Sequence, residues 1–247
     1  MAQWREWRHR SRQPAAHGVL VLQEGLCARA LETTPQSAHC YDGRVSRPAV
    51  RPIPHDLKTV FLDRDGVLNE KAPEGSYVAS WNDFHILPGV PRALSRLNRL
   101  GLRVIVVTNQ RGVALGLYTL ADVEAMHAEF ERLLESEGAR VDAFYVCPHD
   151  TGRCDCRKPL PGLFERAVAR FPGISASTSV MIGDSLLDIE FGRRLGMATI
   201  LIEADSAQER RGGEEARALA DWRFASLPQA VDDLLEQLDR GSNSKSS

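Results

Sequence analysis

Five short apolar runs recur along the chain from residue 58 onwards, each followed by polar residues. The runs are continuous rather than alternating and rich in β-branched residues, which is typical of strands buried on both faces. We therefore predict five strands, at residues 59–63, 103–108, 143–147, 179–183 and 198–202.

Between these runs the apolar positions repeat at helical spacing. One helix is predicted to start near Val90 and stop before Gly101, and a second to be capped by Thr119 and stop before Gly138. Three more are predicted from Leu163 to Phe171, directly after Asp184, and over residues 227–238. Alternation of strand and helix predicts an α/β fold with a doubly wound parallel sheet.

Residues 1–57 show no such periodicity, since an Arg-rich start is followed by the proline-rich stretch "RPAVRPIPH". We predict a disordered N-terminal extension over 1–57, one domain over 58–240 and a flexible tail over 241–247. An organelle transit peptide is the alternative for the basic start. We expect removal of residues 1–57 to leave activity and melting temperature nearly unchanged.

Composition excludes several classes of partner. The balance of 31 basic and 33 acidic residues gives a net charge of -2 and no basic footprint, so we expect no nucleic-acid partner. No apolar stretch approaches the roughly 18 residues of a membrane span. We expect a monomeric, cytoplasmic protein.

Polar side chains follow the first four predicted strands. The carboxyl ends of parallel strands meet at one edge of the sheet, where ligands bind. These residues are Asp63 and Asp65, Thr108 and Asn109, Lys158, and Asp184 and Asp188. Each pattern alone is common in turns, but their joint occurrence after β-branched runs predicts a shared site.

The chemistry of these residues predicts phosphoryl transfer. Asp63 and Asp184 would repel each other in a desolvated cleft unless a cation lay between them, and oxygen ligands suit Mg²⁺. Lys158 would supply positive charge to a phosphoryl group, and the Thr108 hydroxyl a hydrogen bond. We therefore predict a phosphoryl-transfer site with its own covalent nucleophile, which acts on a small phosphorylated metabolite.

The segment "CPHDTGRCDCRKP" predicts a second metal site. Its ligands follow the spacing C-x-H-x₄-C-x-C, which fits a closed tetrahedral Zn²⁺ site without an open position for water. The predicted ligands are Cys147, His149, Cys154 and Cys156. We expect this zinc to be structural and to fix the direction in which Arg157 and Lys158 leave the loop.

Four segments resemble the motifs of the haloacid dehalogenase (HAD) superfamily: "FLDRDGVLN", "VVTNQ", "CRKP" and "MIGDSLLD". Within it, the chain resembles the small-capped subfamily of the heptose-bisphosphate and histidinol-phosphate phosphatases, and the resemblance covers residues 58 to about 238. It implies a HAD-like Rossmannoid sheet with a minimal cap and a zinc-binding loop.

The resemblance also implies roles for individual residues. Asp63 would attack phosphorus, and Asp65 would act as general acid and then general base. Mg²⁺ would be held by Asp63, the main-chain carbonyl of Asp65, and Asp184. We expect the neighbouring carboxylates to raise the pKa of Asp65 towards the operating pH. The residues expected to bind substrate are Asn69, Thr108, Asn109, Arg157 and Lys158.

The substrate stays open between two members of the subfamily. Asn69 and the segment "TNQRGVALGLYT" resemble the heptose enzymes. Against that, the short zinc loop is closer in length to that of the histidinol-phosphate enzymes, and Leu115 stands where the heptose enzymes usually have an arginine. A catalytically silent binding module is a weaker alternative, because none of the predicted catalytic residues has been lost. A nucleic-acid 3′-phosphatase would require a basic track that the chain lacks.

Overall fold

Six parallel strands form the sheet in the computed structural model, which describes residues 50–203 and 212–243. The strands are β1 (Thr59–Leu62), β2 (Arg103–Asn109), β3 (Ala143–Cys147), β4 (Ser179–Gly183), β5 (Ala198–Ile202) and β6 (Trp222–Phe224). They lie in the order β3-β2-β1-β4-β5-β6. The first five match the predicted strands to within one residue, and β6 was not predicted.

Seven α-helices accompany the strands in the described ranges. They are α1 (Val90–Arg99), α2 (Arg111–Ala114), α3 (Leu120–Ser136), α4 (Gly162–Arg170), α5 (Leu186–Leu195), α6 (Gly213–Leu219) and α7 (Leu227–Asn243). Thr119 caps α3 as predicted, since its hydroxyl accepts a hydrogen bond from the backbone N–H of Asp122 at 3.2 Å. The sequence did not indicate α2 and α6. Within the described residues, no helix has the length and apolar character needed to cross a membrane.

The helices cover both faces of the sheet. Val60, Leu62 and their neighbours on one face pack in a single core with the apolar sides of α1, α3 and α7. Phe61 and Met181 face the opposite side, against α4 and α5, and α6 packs on α5 and β5 through a small third cluster. This arrangement confirms the doubly wound α/β sheet.

The chain between β1 and α1 forms a small cap. It contains one short 3₁₀ helix (Trp81–Asp83) and isolated bridges that join Asn69 to Asp65 and to Ile86. Residues 71–78 of this segment, which we call the cap segment, stand over the carboxyl ends of the strands. A cap of this size agrees with the expected minimal cap.

Residues 50–57 pack on the domain although they precede the predicted boundary at residue 58. Ile53 and Leu57 are buried in the core. The backbone N–H of Arg51 donates to the Asp221 carboxylate at 2.9 Å, and Trp222 Nε1 donates to the Arg51 carbonyl at 3.1 Å. The rest of the predicted extension, residues 1–49, and residues 244–247 of the predicted tail lie outside the described residues.

These contacts revise the expectation that removal of residues 1–57 has no effect. A chain that starts at residue 58 should melt about 10 °C below one that starts at residue 50, because burial of Ile53 and Leu57 contributes about 2 kcal/mol each. Calorimetry on the two truncated proteins checks this. Equal melting temperatures would show that residues 50–57 contribute nothing to stability.

Candidate active site and metal centre

A cleft of about 310 Å³ opens at the carboxyl ends of the central strands. Its floor is formed by residues that follow β1, β2 and β4, and its rim by the cap segment. The predicted site residues that line it are Asp63, Asp65, Thr108, Asn109, Arg157 and Lys158. The topology explains this grouping, since β1 lies between β2 and β4 in the sheet.

Three carboxylates converge beside this cleft. Asp63, Asp184 and Asp188 each have an oxygen within 4.8 Å of the other two. Their approach requires glycine at position 66, where φ is 91° and a Cβ atom would lie 2.1 Å from Asp184 Oδ2. Glycine therefore allows the turn after β1 to press against the residue that follows β4.

Lys158 is buried among these carboxylates. Its Nζ lies 2.8 Å from Asp63 Oδ1, 2.6 Å from Asp188 Oδ1 and 2.7 Å from the Val107 carbonyl oxygen. Burial alone would lower the pKa of Lys158, but Asp188 and Asp63 outweigh it and raise the pKa above its ordinary value. The side chain is therefore a permanent cation that links the ends of β1, β2 and α5.

The carboxylate cluster still carries an excess of negative charge. Burial raises the pKa of Asp63 to about 7, and the charges of Asp188, Asp184 and Asp65 add to the rise, while Lys158 opposes it. A divalent cation beside Asp63 and Asp184 would relieve this repulsion, and a set of buried carboxylate oxygens without histidine suits Mg²⁺. The donors present therefore fit the metal that the sequence predicts.

A lysine from the cap segment also reaches this cluster. Lys71 Nζ lies 3.1 Å from Asp184 Oδ1 and 3.0 Å from Asp184 Oδ2. The Asp184 side chain is fully buried, whereas that of Lys71 is 39% exposed. The ammonium group thus contacts the carboxylate that is predicted to bind the metal, and its exposed stem leaves it free to move away.

Hydrogen-bond donors and the Arg64 cation surround Asp65, whereas we expected the neighbouring carboxylates to dominate its pKa. Its Oδ1 accepts hydrogen bonds from Arg64 Nη2 and Asn69 Nδ2, both at 2.9 Å, and its Oδ2 accepts one from Gln110 Nε2 at 2.9 Å. Burial raises the pKa of Asp65, but the Arg64 charge and these hydrogen bonds outweigh it, so the pKa is lowered. The expected rise was wrong because Arg64 is buried beside Asp65.

Asn69 does not line the cleft. It is fully buried, and its Nδ2 donates to Asp65 Oδ1 and to the Glu70 carbonyl at 2.8 Å. Asn69 was expected to contact substrate. In the structure it lies behind Asp65, and its hydrogen bond orients the Asp65 carboxylate.

The other predicted substrate residues lie on the cleft wall. The Asn109 side chain braces the loop after β3, since its Oδ1 accepts from the Lys158 backbone N–H at 3.0 Å and its Nδ2 donates to the Lys158 carbonyl at 3.2 Å. Thr108 Oγ1 accepts from Gln110 Nε2 at 2.8 Å. The buried Nη1 of Arg157 has no hydrogen-bond partner among the described residues.

Gln110 and Lys71 were missed as site residues, and Asp188 was predicted to lie at the shared site but was given no role. Asp188 pairs with Lys158, Gln110 contacts both Asp65 and Thr108, and Lys71 contacts Asp184. Asp188 and Gln110 stand inside the motifs "GDSLLD" and "TNQ", so their position beside predicted site residues was the available signal. Nothing in the sequence around Lys71 indicated its contact.

The predicted zinc ligands come together as a closed cluster. The Sγ atoms of Cys147 and Cys154 are 3.6 Å apart, and His149 Nδ1 lies 3.3 Å from Cys156 Sγ and 3.8 Å from Cys147 Sγ. A tetrahedral site with Zn–S bonds of about 2.3 Å has sulfur atoms about 3.8 Å apart, which these separations approach. The cluster can therefore hold a metal ion.

In the absence of a cation, burial and mutual repulsion disfavour thiolates at the buried cysteines of this cluster. Burial raises the pKa of Cys156 to about 12, and the neighbouring thiols of Cys147 and Cys154 add to the rise. Gly162 at the start of α4 packs against the loop, since a Cβ there would lie 2.8 Å from the Cys156 Cα. The ligand loop is thus held against the core directly before Arg157 and Lys158.

Comparison with known proteins identifies the family of this chain. A HAD-hydrolase-like family model matches residues 155–230. The D-glycero-alpha-D-manno-heptose-1,7-bisphosphate 7-phosphatase of Mycobacterium tuberculosis is 40% identical over 169 residues, which are 68% of this chain and 86% of the relative. The D-glycero-beta-D-manno-heptose-1,7-bisphosphate 7-phosphatase of Bordetella bronchiseptica is 37% identical over 155 residues, or 62% and 84% of the two chains.

A solved structure supports the same assignment. The crystal structure of a D,D-heptose 1,7-bisphosphate phosphatase from B. bronchiseptica, complexed with magnesium and phosphate, superimposes with a TM-score of 0.64 at 31% identity. The match covers 73% of this chain and 99% of that one. The chain therefore belongs to the HAD-like hydrolases, in the family of the heptose-bisphosphate phosphatases.

Proposed function

We propose that the protein is a Mg²⁺-dependent phosphatase that removes the 7-phosphate of D-glycero-D-manno-heptose 1,7-bisphosphate. The observation that carries the proposal is the buried cluster of Asp63, Asp184 and Asp188 around Lys158, open to a cleft that also contains Asp65. Such a cluster brings together a nucleophile, a cation site and a proton donor.

In the first half-reaction, we propose that Asp63 is the nucleophile. Its carboxylate oxygen forms a bond to phosphorus while the bond from phosphorus to the sugar oxygen breaks, which gives an aspartyl-phosphate. Asp65 donates a proton to the leaving oxygen. A phosphate group entering the cleft adds negative charge near Asp65 and so raises its pKa, which favours the protonated form that this step needs.

In the second half-reaction, Asp65 has become a carboxylate and takes a proton from water. The water oxygen attacks phosphorus, and the bond between phosphorus and Asp63 breaks to release inorganic phosphate. Throughout both steps, Lys158 offsets the negative charge near Asp63, from which its Nζ is 2.8 Å away.

Asp63, the main-chain carbonyl of Asp65, and Asp184 would hold Mg²⁺. When bound, the ion supplies positive charge to the phosphoryl oxygens and to the surrounding carboxylates. Thr108 and Arg157 would bind the phosphate oxygens, since both line the cleft and Arg157 Nη1 has no partner among the described residues. The relative solved with magnesium and phosphate supports this assignment.

Zn²⁺ is the ion that we propose for the cluster of three cysteines and one histidine. Its four protein donors fill a tetrahedral shell, so the site would serve to order the loop rather than to activate water. Lys158 follows Cys156 by two residues, so order in the loop directly fixes the cation beside Asp63.

The choice of a heptose bisphosphate rests on the relatives. The curated and the solved relatives described above are heptose-bisphosphate phosphatases, which favours that substrate over histidinol phosphate. A silent binding module is disfavoured because the carboxylates and Lys158 are not only present but arranged in contact.

A panel of phosphate esters tests this function. With Mg²⁺ present, kcat/KM should be at least about 100-fold higher for heptose 1,7-bisphosphate than for histidinol phosphate or p-nitrophenyl phosphate. Both anomers should be assayed, and ³¹P NMR should show release of the 7-phosphate with the 1-phosphate retained. Preference for histidinol phosphate, or release of the 1-phosphate, would contradict the proposal.

Replacement of Lys71 by methionine tests the cation site directly. Since Lys71 pairs with Asp184, removal of its charge should tighten Mg²⁺ binding about tenfold in the absence of substrate. Isothermal titration calorimetry of Lys71→Met against Mg²⁺ measures this, with the exposed Lys58→Met as the matched control. An unchanged or weaker affinity would contradict competition between Lys71 and the ion for Asp184.

A further inference from the structure

Two buried side chains stand behind Asp65. Gln110 and Tyr118 are 2% and 6% exposed. Gln110 Nε2 donates to Asp65 Oδ2 at 2.9 Å and to Thr108 Oγ1 at 2.8 Å, and the Tyr118 hydroxyl donates to Gln110 Oε1 at 2.7 Å. A continuous chain of hydrogen bonds therefore runs from Tyr118 through Gln110 to Asp65.

The direction of these hydrogen bonds follows from the Asp65 carboxylate at which they end. An ionised carboxylate only accepts hydrogen bonds, so the Gln110 amide must turn its NH₂ group towards Asp65. The amide oxygen then faces Tyr118, whose hydroxyl is its donor. A flipped amide would place two acceptors in contact at Asp65 and would lose the hydrogen bond that the Tyr118 hydroxyl donates to Gln110 Oε1.

Tyr118 is itself held in place. A Cβ atom at position 112 would lie 2.2 Å from the Tyr118 ring, so glycine at this position makes room for the ring. The Tyr77 ring packs nearby, with the two ring centroids 6.2 Å apart. Burial raises the pKa of Tyr118 to about 12, and so the hydroxyl stays a donor over the whole working range.

We propose that Gln110 and Tyr118 are a positioning pair for the general acid, in which Tyr118 fixes the Gln110 amide and the amide fixes the Asp65 carboxyl group. The proposal rests on the phosphatase function proposed above. Neither side chain is required to touch the substrate, since each acts through its neighbour. The pair would therefore affect proton donation to the leaving group more than binding.

Leaving-group dependence separates this role from a structural one. A sugar phosphate needs a proton from Asp65, whereas the leaving group of p-nitrophenyl phosphate does not. Tyr118→Phe should lower kcat about fivefold on the sugar phosphate and less than about twofold on the aryl ester, with KM nearly unchanged. Gln110→Met should give the same selectivity with a loss of about 50-fold on the sugar phosphate.

Two further comparisons make the test specific. Tyr145→Phe removes a hydroxyl from a half-buried tyrosine of β3 and should change neither substrate's kinetics. In the Gln110→Met background, Tyr118→Phe should have no additional effect, because it acts through the amide that is already gone. Melting temperatures identify variants that fail to fold, and Gln110→Leu, which also removes the amide without adding a charge, then replaces Gln110→Met.

The outcomes are distinct. Equal losses on both ester types would place the effect on Thr108, which serves both substrates alike, and would overturn the proposal. Additive losses in the double variant would also overturn it. Failure of the proposed function would show in the unaltered protein, which would then hydrolyse neither ester or would prefer a different phosphate ester to the heptose bisphosphate.

Discussion

Replacement of Asp63 by asparagine should lower kcat for every phosphate ester by at least about 10⁴-fold while the protein stays folded. The amide is a poor nucleophile, so the aspartyl-phosphate would not form. The side chain keeps its shape, and Lys158 keeps its contacts with Asp188 and the Val107 carbonyl. Steady-state assays with Mg²⁺ on a sugar phosphate and on p-nitrophenyl phosphate measure the loss.

Asp63→Asn should not lower the melting temperature of the protein when Mg²⁺ is absent. The pKa of Asp63 is raised to about 7, so a proton leaves less readily from the folded than from the unfolded protein. Ionisation of Asp63 therefore costs folding stability increasingly as the pH rises from about 4 to 7, and that cost persists above pH 7. At pH 8 without Mg²⁺, Asp63→Asn should melt no lower than the unaltered protein, and added Mg²⁺ should raise its melting temperature less.

The surface variant Asp232→Asn is the matched control, because Asp232 is 56% exposed and pairs with Arg96 away from the cleft. It should change neither kcat nor the response to Mg²⁺. A rate for Asp63→Asn within tenfold of the unaltered protein would rule out Asp63 as the covalent nucleophile.

Replacement of Cys154 by serine should remove the bound zinc, lower the melting temperature and abolish most of the activity. Cys154 is the half-exposed cysteine among the ligands, so the change removes a metal donor with little loss of core packing. Loss of the metal should cost on the order of 3 kcal/mol, which for a domain of this size is a fall of about 10 °C. Activity should fall because Arg157 and Lys158 lose their fixed direction.

Elemental analysis checks the metal content, with one zinc per chain expected in the unaltered protein and little in Cys154→Ser. Arg153→Ala, at the exposed neighbouring position, should keep the zinc, the melting temperature and the activity. Stoichiometric zinc in Cys154→Ser would contradict the proposed ligand set. Turnover supported by zinc without Mg²⁺ would contradict the separation of the two metal roles.

The predictable part of the fold is the part with strong local patterns. β1, β2, β4 and β5 are continuous apolar runs that are largely buried, and their pattern depends little on distant residues. β3 is a similar apolar run, although it is only partly buried at the edge of the sheet. β6 has only three residues and no fully buried one, so its strand character comes from pairing with β5. Likewise, α6 starts at a glycine and is too short to show a clear apolar period.

The sequence predicts which residues gather at the site. Asp63, Thr108, Lys158 and Asp184 gather because parallel strands end at one edge of the sheet. The details depend on how distant segments meet, as in the contact of Lys71 with Asp184 across 113 residues of sequence. The pKa of Asp65 could not be predicted for the same kind of reason, since the burial of Arg64 beside it is a tertiary feature.

The burial of Lys158 makes its amine unreactive towards acylating reagents. Acylating reagents attack neutral, exposed amines, whereas this one is charged, enclosed and directs its hydrogens at three oxygen atoms. Amine-footprinting of the native protein should therefore modify Lys71 and leave Lys158 unmodified. Modification of Lys158 would then indicate that the protein has unfolded. Mass spectrometry of this one lysine can therefore show, even in a crude mixture, whether the cleft is intact.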